Sequence, residues 1–163
     1  MKNPLLIMVS ALLLAACTGY RPVSEKALNV DKNRPAACSI TQADAADGGK
    51  RREYLRCSVQ VVLDSPEARQ VLGQNLPLRS GGEVVKGGAR LRASANANGN
   101  TDETTCRNAF IHGLRKFQRH VRKQGGSGVA NVRMTADGAG AGEFECVVGT
   151  VRGTVTAYVD IVR

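Results

Sequence analysis

The sequence predicts an α+β domain: one long helix packed on a small, mostly antiparallel sheet and stapled by disulfides. Three observations carry that expectation. At 100° per residue, Cys106, Phe110, Gly113, Leu114, Phe117 and Val121 fall on one face of a helix over residues 104–123, closed by Gly125-Gly126. Flanking stretches such as YLRCSVQVVLD, GEFECVV and TVTAYVDIV alternate apolar and polar residues with the period of a half-buried strand. Beyond Cys17 the remaining cysteines are Cys38, Cys57, Cys106 and Cys146, an even set of the kind that staples exported domains.

The chain opens MKNPLLIMVSALLLAACTGY. Lys2 supplies a short positive start, Leu5–Leu14 an apolar run short for a permanent membrane span, and Ala15-Ala16 the small residues of a peptidase site. Residues 1–16 therefore read as an export signal. Leu14-Ala15-Ala16-Cys17 resembles the lipobox of bacterial lipoproteins. That resemblance implies that Cys17 becomes the first residue and carries acyl chains, palmitate among them. Each buried methylene contributes about 0.8 kcal/mol, so several chains hold a protein far more firmly than one. Thr18 stands where lipoproteins retained at the inner membrane have Asp, so the resemblance implies the periplasmic face of the outer membrane. Residues 17–36 mix charges, Asn and prolines without apolar periodicity and read as a lipidated tether, leaving 37–163 as the periplasmic domain.

Within that domain a short strand is expected over Cys38–Thr41, then a polar turn in QADAADGGKRRE. YLRCSVQVVLD predicts a strand with Cys57, Val59, Val61 and Leu63 on one face. SPEARQVLG predicts a short helix, with Ser65 as N-cap, Pro66 at its first position, Glu67 near the positive dipole end and Gly73 as terminator. Glu83–Ala93 predicts a hairpin turning at Gly87-Gly88, and SANANGNTDETT an exposed loop. In the long helix His112, Arg115, Lys116, Arg119, Arg122 and Lys123 gather opposite the apolar face, with Arg107 at its margin. GVANVRM predicts a strand alternating through Ala130, Val132 and Met134, and EFECVV one with Phe144, Cys146 and Val148 on a face. After Gly149 the alternation passes to Val151, Val155, Ala157, Val159 and Ile161, which predicts a bulge or bend at Gly149 and a long terminal strand.

Lys and Arg number 23 against 14 Asp and Glu, and removing residues 1–16 takes only Lys2. The exported part is therefore basic, a balance suited to nucleic acid, anionic lipid or acidic polysaccharide. Nucleic acid is set aside as a partner: Trp is absent, aromatics are 4% of the chain, and an exported protein does not meet chromosomal DNA.

No catalytic, cofactor-binding or metal-binding set emerges. His112 and His120, the two histidines, are eight residues apart rather than stacked at i, i+4 as a helical metal pair would be. GGSGVANV and GAGAG lack the Lys and Ser/Thr of a phosphate loop, and the cysteine spacings contain no C-x-x-C. Four cysteines allow three connectivities. The layers favour Cys106 with Cys146, because Cys106 opens the helix on its apolar face and Cys146 lies on the inward face of the strand beneath. Cys38 and Cys57 then have each other.

TCRNAFIHGLRKFQRHVRKQGGSGVANVRM followed by GEFECVVGTVRG resembles a group of short exported bacterial proteins of unknown function, often mislabelled as an excinuclease ATPase subunit. The matching positions are Cys106, Ala109, Phe110, Gly125, Gly126, Asn131, Val132, Glu145, Cys146 and Gly149, with SGVAN standing where the group tends to read GNAVV. A looser likeness, in the helix-then-strand unit, runs to the Rcs-pathway outer-membrane stress-sensor lipoprotein. The resemblance implies a small α+β domain and imports no activity; no ATPase motif accompanies the label.

The functional expectation is a lipid-anchored, non-enzymatic envelope protein. It binds or senses an anionic lipid, a polysaccharide or a protein partner, with Arg115, Lys116, Arg119, Arg122 and Lys123 as the anion-binding residues. One alternative is a structural subunit of an envelope complex that pairs through the outer edge of the terminal strand. Another is a cell-wall hydrolase, for which Glu143 and Glu145 lie beside glycines without a partner cluster.

Overall fold

In the computed structural model, which describes residues 36–44, 52–73, 78–79 and 81–163, the strands form one antiparallel sheet on which the long helix lies. In chain order the elements are β1 (Cys38–Asp44), β2 (Arg52–Ser58), α1 (Val59–Leu63), α2 (Pro66–Leu72), β3 (Val84–Asn96), α3 (Asp102–Lys123), β4 (Gly128–Arg133), β5 (Glu143–Gly149) and β6 (Arg152–Val162). The sheet order is β1-β2-β5-β6-β3, with β4 also paired to β6. The expected export signal, Cys17 and the tether up to residue 35 lie outside the described residues.

β6 is the spine because its alternation is unbroken. Gly153, Val155, Ala157, Val159 and Ile161 are buried on the helix side. β3 pairs with it along one edge from Val84 to Asn96. On the other edge β5 pairs with Gly153–Thr156, and β4 takes over toward Val162. The terminal strand is therefore interior, and the outer edge expected of it does not exist. Among the described residues the edges of the sheet path belong to β1 and β3.

α3 begins two residues before the expected start, because Thr101 caps it by accepting from the Thr104 N–H at 3.2 Å while Asp102 and Glu103 face the positive dipole end. Phe110 stacks on Phe144 of β5 with ring centroids 4.1 Å apart, and Cys106, Leu114 and Val121 are buried along the same face. Each such side chain contributes roughly 1.5–3 kcal/mol on full burial. Two departures from the expected face matter. Phe117 is only half-buried, whereas Thr105, Ala109 and Ile111 are buried as well. α2 lies on that second flank, where Glu67 meets Arg107 at 3.6 Å.

Cys106 and Cys146 are bonded across the helix–sheet interface with Cα atoms 5.8 Å apart, and Cys38 and Cys57 are bonded between directly opposed positions of β1 and β2. On the chain-entropy estimate, bridges spanning 19 and 40 residues contribute about 3–4 kcal/mol each.

Five expectations are corrected. The strand expected through Leu63 stops at Ser58, whose side chain accepts from the Val61 N–H and starts α1, so Val59 and Val62 are buried at helical rather than strand spacing. Gly87-Gly88 is not a hairpin turn: β3 runs through it and stays paired to β6 on both sides, with the register shifting between Lys86 and Ala89. The loop expected from Ser94 shrinks, since β3 extends to Asn96 and α3 starts at Asp102. Gly149 ends β5 and the chain bends over residues 150–151 into the long terminal strand β6, as expected, but Val151, expected in the alternation, is 62% exposed. β4 also fails to alternate cleanly, because its register breaks between Ala130 and Arg133.

Candidate anion-binding helix and its groove

Burying one face of α3 leaves its cations on the rest of the cylinder. Arg115, Lys116, Arg119, Arg122 and Lys123 are all exposed, as are His112 and His120. None of the five expected anion-binding side chains has an ion pair or hydrogen bond among the described residues. They do not form one stripe. By helical angle Arg115, Arg119 and Arg122 look away from the sheet, whereas Lys116, with His112 and His120, lies on the flank that descends toward β3.

That flank borders a groove of about 480 Å³ between α3 and β3. Gly113 sets its depth: a Cβ there would come within 2.7 Å of the Ala93 Cβ, so the absence of a side chain lets the helix sit directly on β3. Phe117 lines the groove and leans on the His120 ring, centroids 5.0 Å apart. The other wall is β3 itself, at Arg90–Ser94.

A second cavity, about 690 Å³, lies by Asp160. Asp160 is 9% exposed, on the sheet face away from α3, and is hydrogen-bonded through both oxygens. Its Oδ1 accepts from the Gly88 N–H at 2.9 Å and from Arg133 Nη2 at 3.0 Å, and its Oδ2 accepts from Asn131 Nδ2 at 2.9 Å. Burial pushes this carboxyl up, but the hydrogen bonds from Arg133, Asn131 and Gly88, with the guanidinium charge, outweigh it and hold the group down at about 2. Arg133 Nη1 also donates to the Asn131 carbonyl at 2.9 Å, fixing Asn131 at a φ of 49° that Asn tolerates better than most residues. One carboxylate thus ties the register break of β3 to that of β4. With both oxygens hydrogen-bonded and the group held ionised at neutral pH, it acts as the acceptor that joins the two breaks. This network escaped the sequence reading; its one signal was a lone acid in the apolar run of TVTAYVDIV.

The Sγ atoms of Cys38, Cys57 and Cys106 lie within 4.8 Å of one another. Both pairs are oxidised, which leaves no thiolate to hold a metal. Glu143 meets Arg56 across β2 and β5 at 3.7 Å, and both it and Glu145 lie on the sheet face opposite Phe144, Cys146 and Val148. No described helix is long and apolar enough to cross a membrane.

Compared with protein-family models, with curated proteins and with solved structures, the chain gives no match in any of the three.

Proposed function

We propose that this chain is a lipid-anchored envelope module that lays the outer side of α3 against an anionic envelope surface, lipid headgroups or acidic polysaccharide. One observation carries the reading: Arg115, Arg119 and Arg122 are exposed together on a rigid helix, without an acidic partner among the described residues. A solvated face would place acids among such bases for i, i+4 support; residues 104–124 contain none. Each cation near an anionic surface contributes about 1 kcal/mol, an attraction that fades within a Debye length. Several weak contacts suffice when a lipid at Cys17 already holds the domain nearby.

The test uses residues 18–163, which contain every described element and both disulfides. Binding to anionic vesicles and to isolated cell-wall polymer is measured against salt for the parent and for Arg115→Glu, Arg119→Glu and Arg122→Glu combined. The parent binds at low salt, releases at high salt, and loses roughly tenfold or more in affinity on triple reversal. A folded triple variant that binds as the parent does removes the reading.

A further inference from the structure

We propose that the outer edge of β3, unpaired among the described residues, and the flank of α3 beside it form a strand-addition site for an extended, acidic polypeptide segment. This face is separate from the outward arginines and does not depend on the surface contact assigned to them.

The backbone sets the site. Ala97 donates its N–H to the Val151 carbonyl at 2.9 Å, and the β3–β6 register continues from there without a break to Ala89. In an antiparallel ladder the bonding residues alternate, so Ala95, Ala93, Leu91 and Ala89 also turn their N–H and C=O toward β6. The opposite end agrees: Val162, of even number, accepts from Ser127 on the β4 side, while Arg163 donates to Glu83 on the β3 side. Arg90, Arg92 and Ser94 therefore aim their backbone donors and acceptors outward, and none has a partner among the described residues. Five residues of strand present an edge about 16 Å long.

The side chains choose the occupant. Arg90 and Arg92 are exposed and project to the sheet face away from α3, since Leu91 and Ala89 are buried beneath the helix. A strand added here meets those arginines as cross-strand neighbours on one face. On its other face it meets Lys116, His112 and the half-buried Phe117 in the groove. Acidic residues thus find bases on both faces, and one apolar side chain finds Phe117. The same arginines oppose pairing with a second copy, whose β3 would bring Arg90 and Arg92 against their like. The site is an open edge guarded by charge, and the charge admits an acidic strand.

The experiment uses the full chain in non-ionic detergent and a fluorescein-labelled peptide, Glu-Asp-Glu-Phe-Glu-Asp-Glu, with acids on both faces, and a control carrying Pro in place of Phe. Anisotropy reports binding, and hydrogen exchange reports the amides of Arg90, Arg92 and Ser94. Binding of the first peptide slows exchange at those three amides, and the Pro control binds at least roughly tenfold more weakly. Arg92→Pro removes an N–H that faces outward, a change an edge strand tolerates, and weakens binding with the sheet intact; Arg90→Glu with Arg92→Glu does so by charge, by roughly tenfold or more. Equal binding of both peptides, unchanged exchange at the three amides, undiminished binding by the charge-reversed chain, or no binding by the parent each overturns the proposal.

Discussion

Asp160 shows how much of this fold hangs on one polar side chain. β3 and β4 both lose register against β6 near it, and its carboxylate takes the Gly88 N–H from one break and the Asn131 and Arg133 side chains from the other. Replacing it by Asn keeps the shape but strands the Arg133 guanidinium, which is 16% exposed at its side chain. Breaking a pair this enclosed costs about 2–3 kcal/mol, somewhat less than a fully buried one. The acid behaviour follows from the same bonds. The folded-state pKa, about 2, lies below the ordinary 3.8, so the group contributes stability that is complete above about pH 4 and lost as the pH falls through 2. The difference corresponds to about 2 kcal/mol. Urea unfolding at pH 7 and pH 2 measures both effects: Asp160→Asn is less stable at pH 7, and the gap to the parent narrows at pH 2. An unchanged midpoint at pH 7 would mean that the two breaks hold without the carboxylate.

At the scale of elements, α3 on β3 is the contact that admits the least change. Gly113 is a poor helix residue, and in an exposed helix Gly→Ala would gain about 1 kcal/mol. Here a Cβ meets the Leu91 Cδ2 at 3.3 Å and, closer still, the Ala93 Cβ at 2.7 Å, which is fixed to the strand backbone and cannot retreat. Overpacking costs typically about 1–3 kcal/mol, so the clash wins and Gly113→Ala lowers the thermal midpoint. A raised midpoint would show that the helix rides on β3 loosely. α3 itself was legible in the sequence because its apolar spacing persists over about four turns between a capping Thr and a Gly pair, and Phe144, Cys146 and Val148 were legible because β5 alternates without interruption. Val59–Leu63 was misread because four of its five residues are apolar, a pattern shared by a buried strand and a helical turn; the Ser58 cap decides between them. Gly87-Gly88 was misread because a hairpin and a bulge both need positive φ, and only the distant Asp160 selects the bulge. That β3 ends the path of described strands could not be read at all, since which strand ends a sheet is set by pairing far along the chain.

Over the whole molecule, two staples and one apolar layer hold a small basic domain together, and the anchoring proposed for it separates cleanly from its charge. Attraction of the α3 cations to an anionic surface is screened, with a Debye length of about 3 Å at 1 M salt, whereas burial of acyl chains is not. A chain lipidated at Cys17 therefore stays with bacterial membranes through a 1 M salt wash, and Cys17→Ser leaves them. Growth with an alkyne-tagged palmitate supplies the chemical half of the test: the parent takes up the label, and Cys17→Ser does not. Combining Cys17→Ser with reversal of Arg115, Arg119 and Arg122 then isolates the charge, because the singly substituted chain retains a salt-sensitive membrane fraction that the combined variant lacks. Label on Cys17→Ser, or firm retention of that chain at 1 M salt, would remove the lipid from this account and leave the basic helix to hold the domain alone, a task that about 1 kcal/mol per cation cannot perform at that ionic strength.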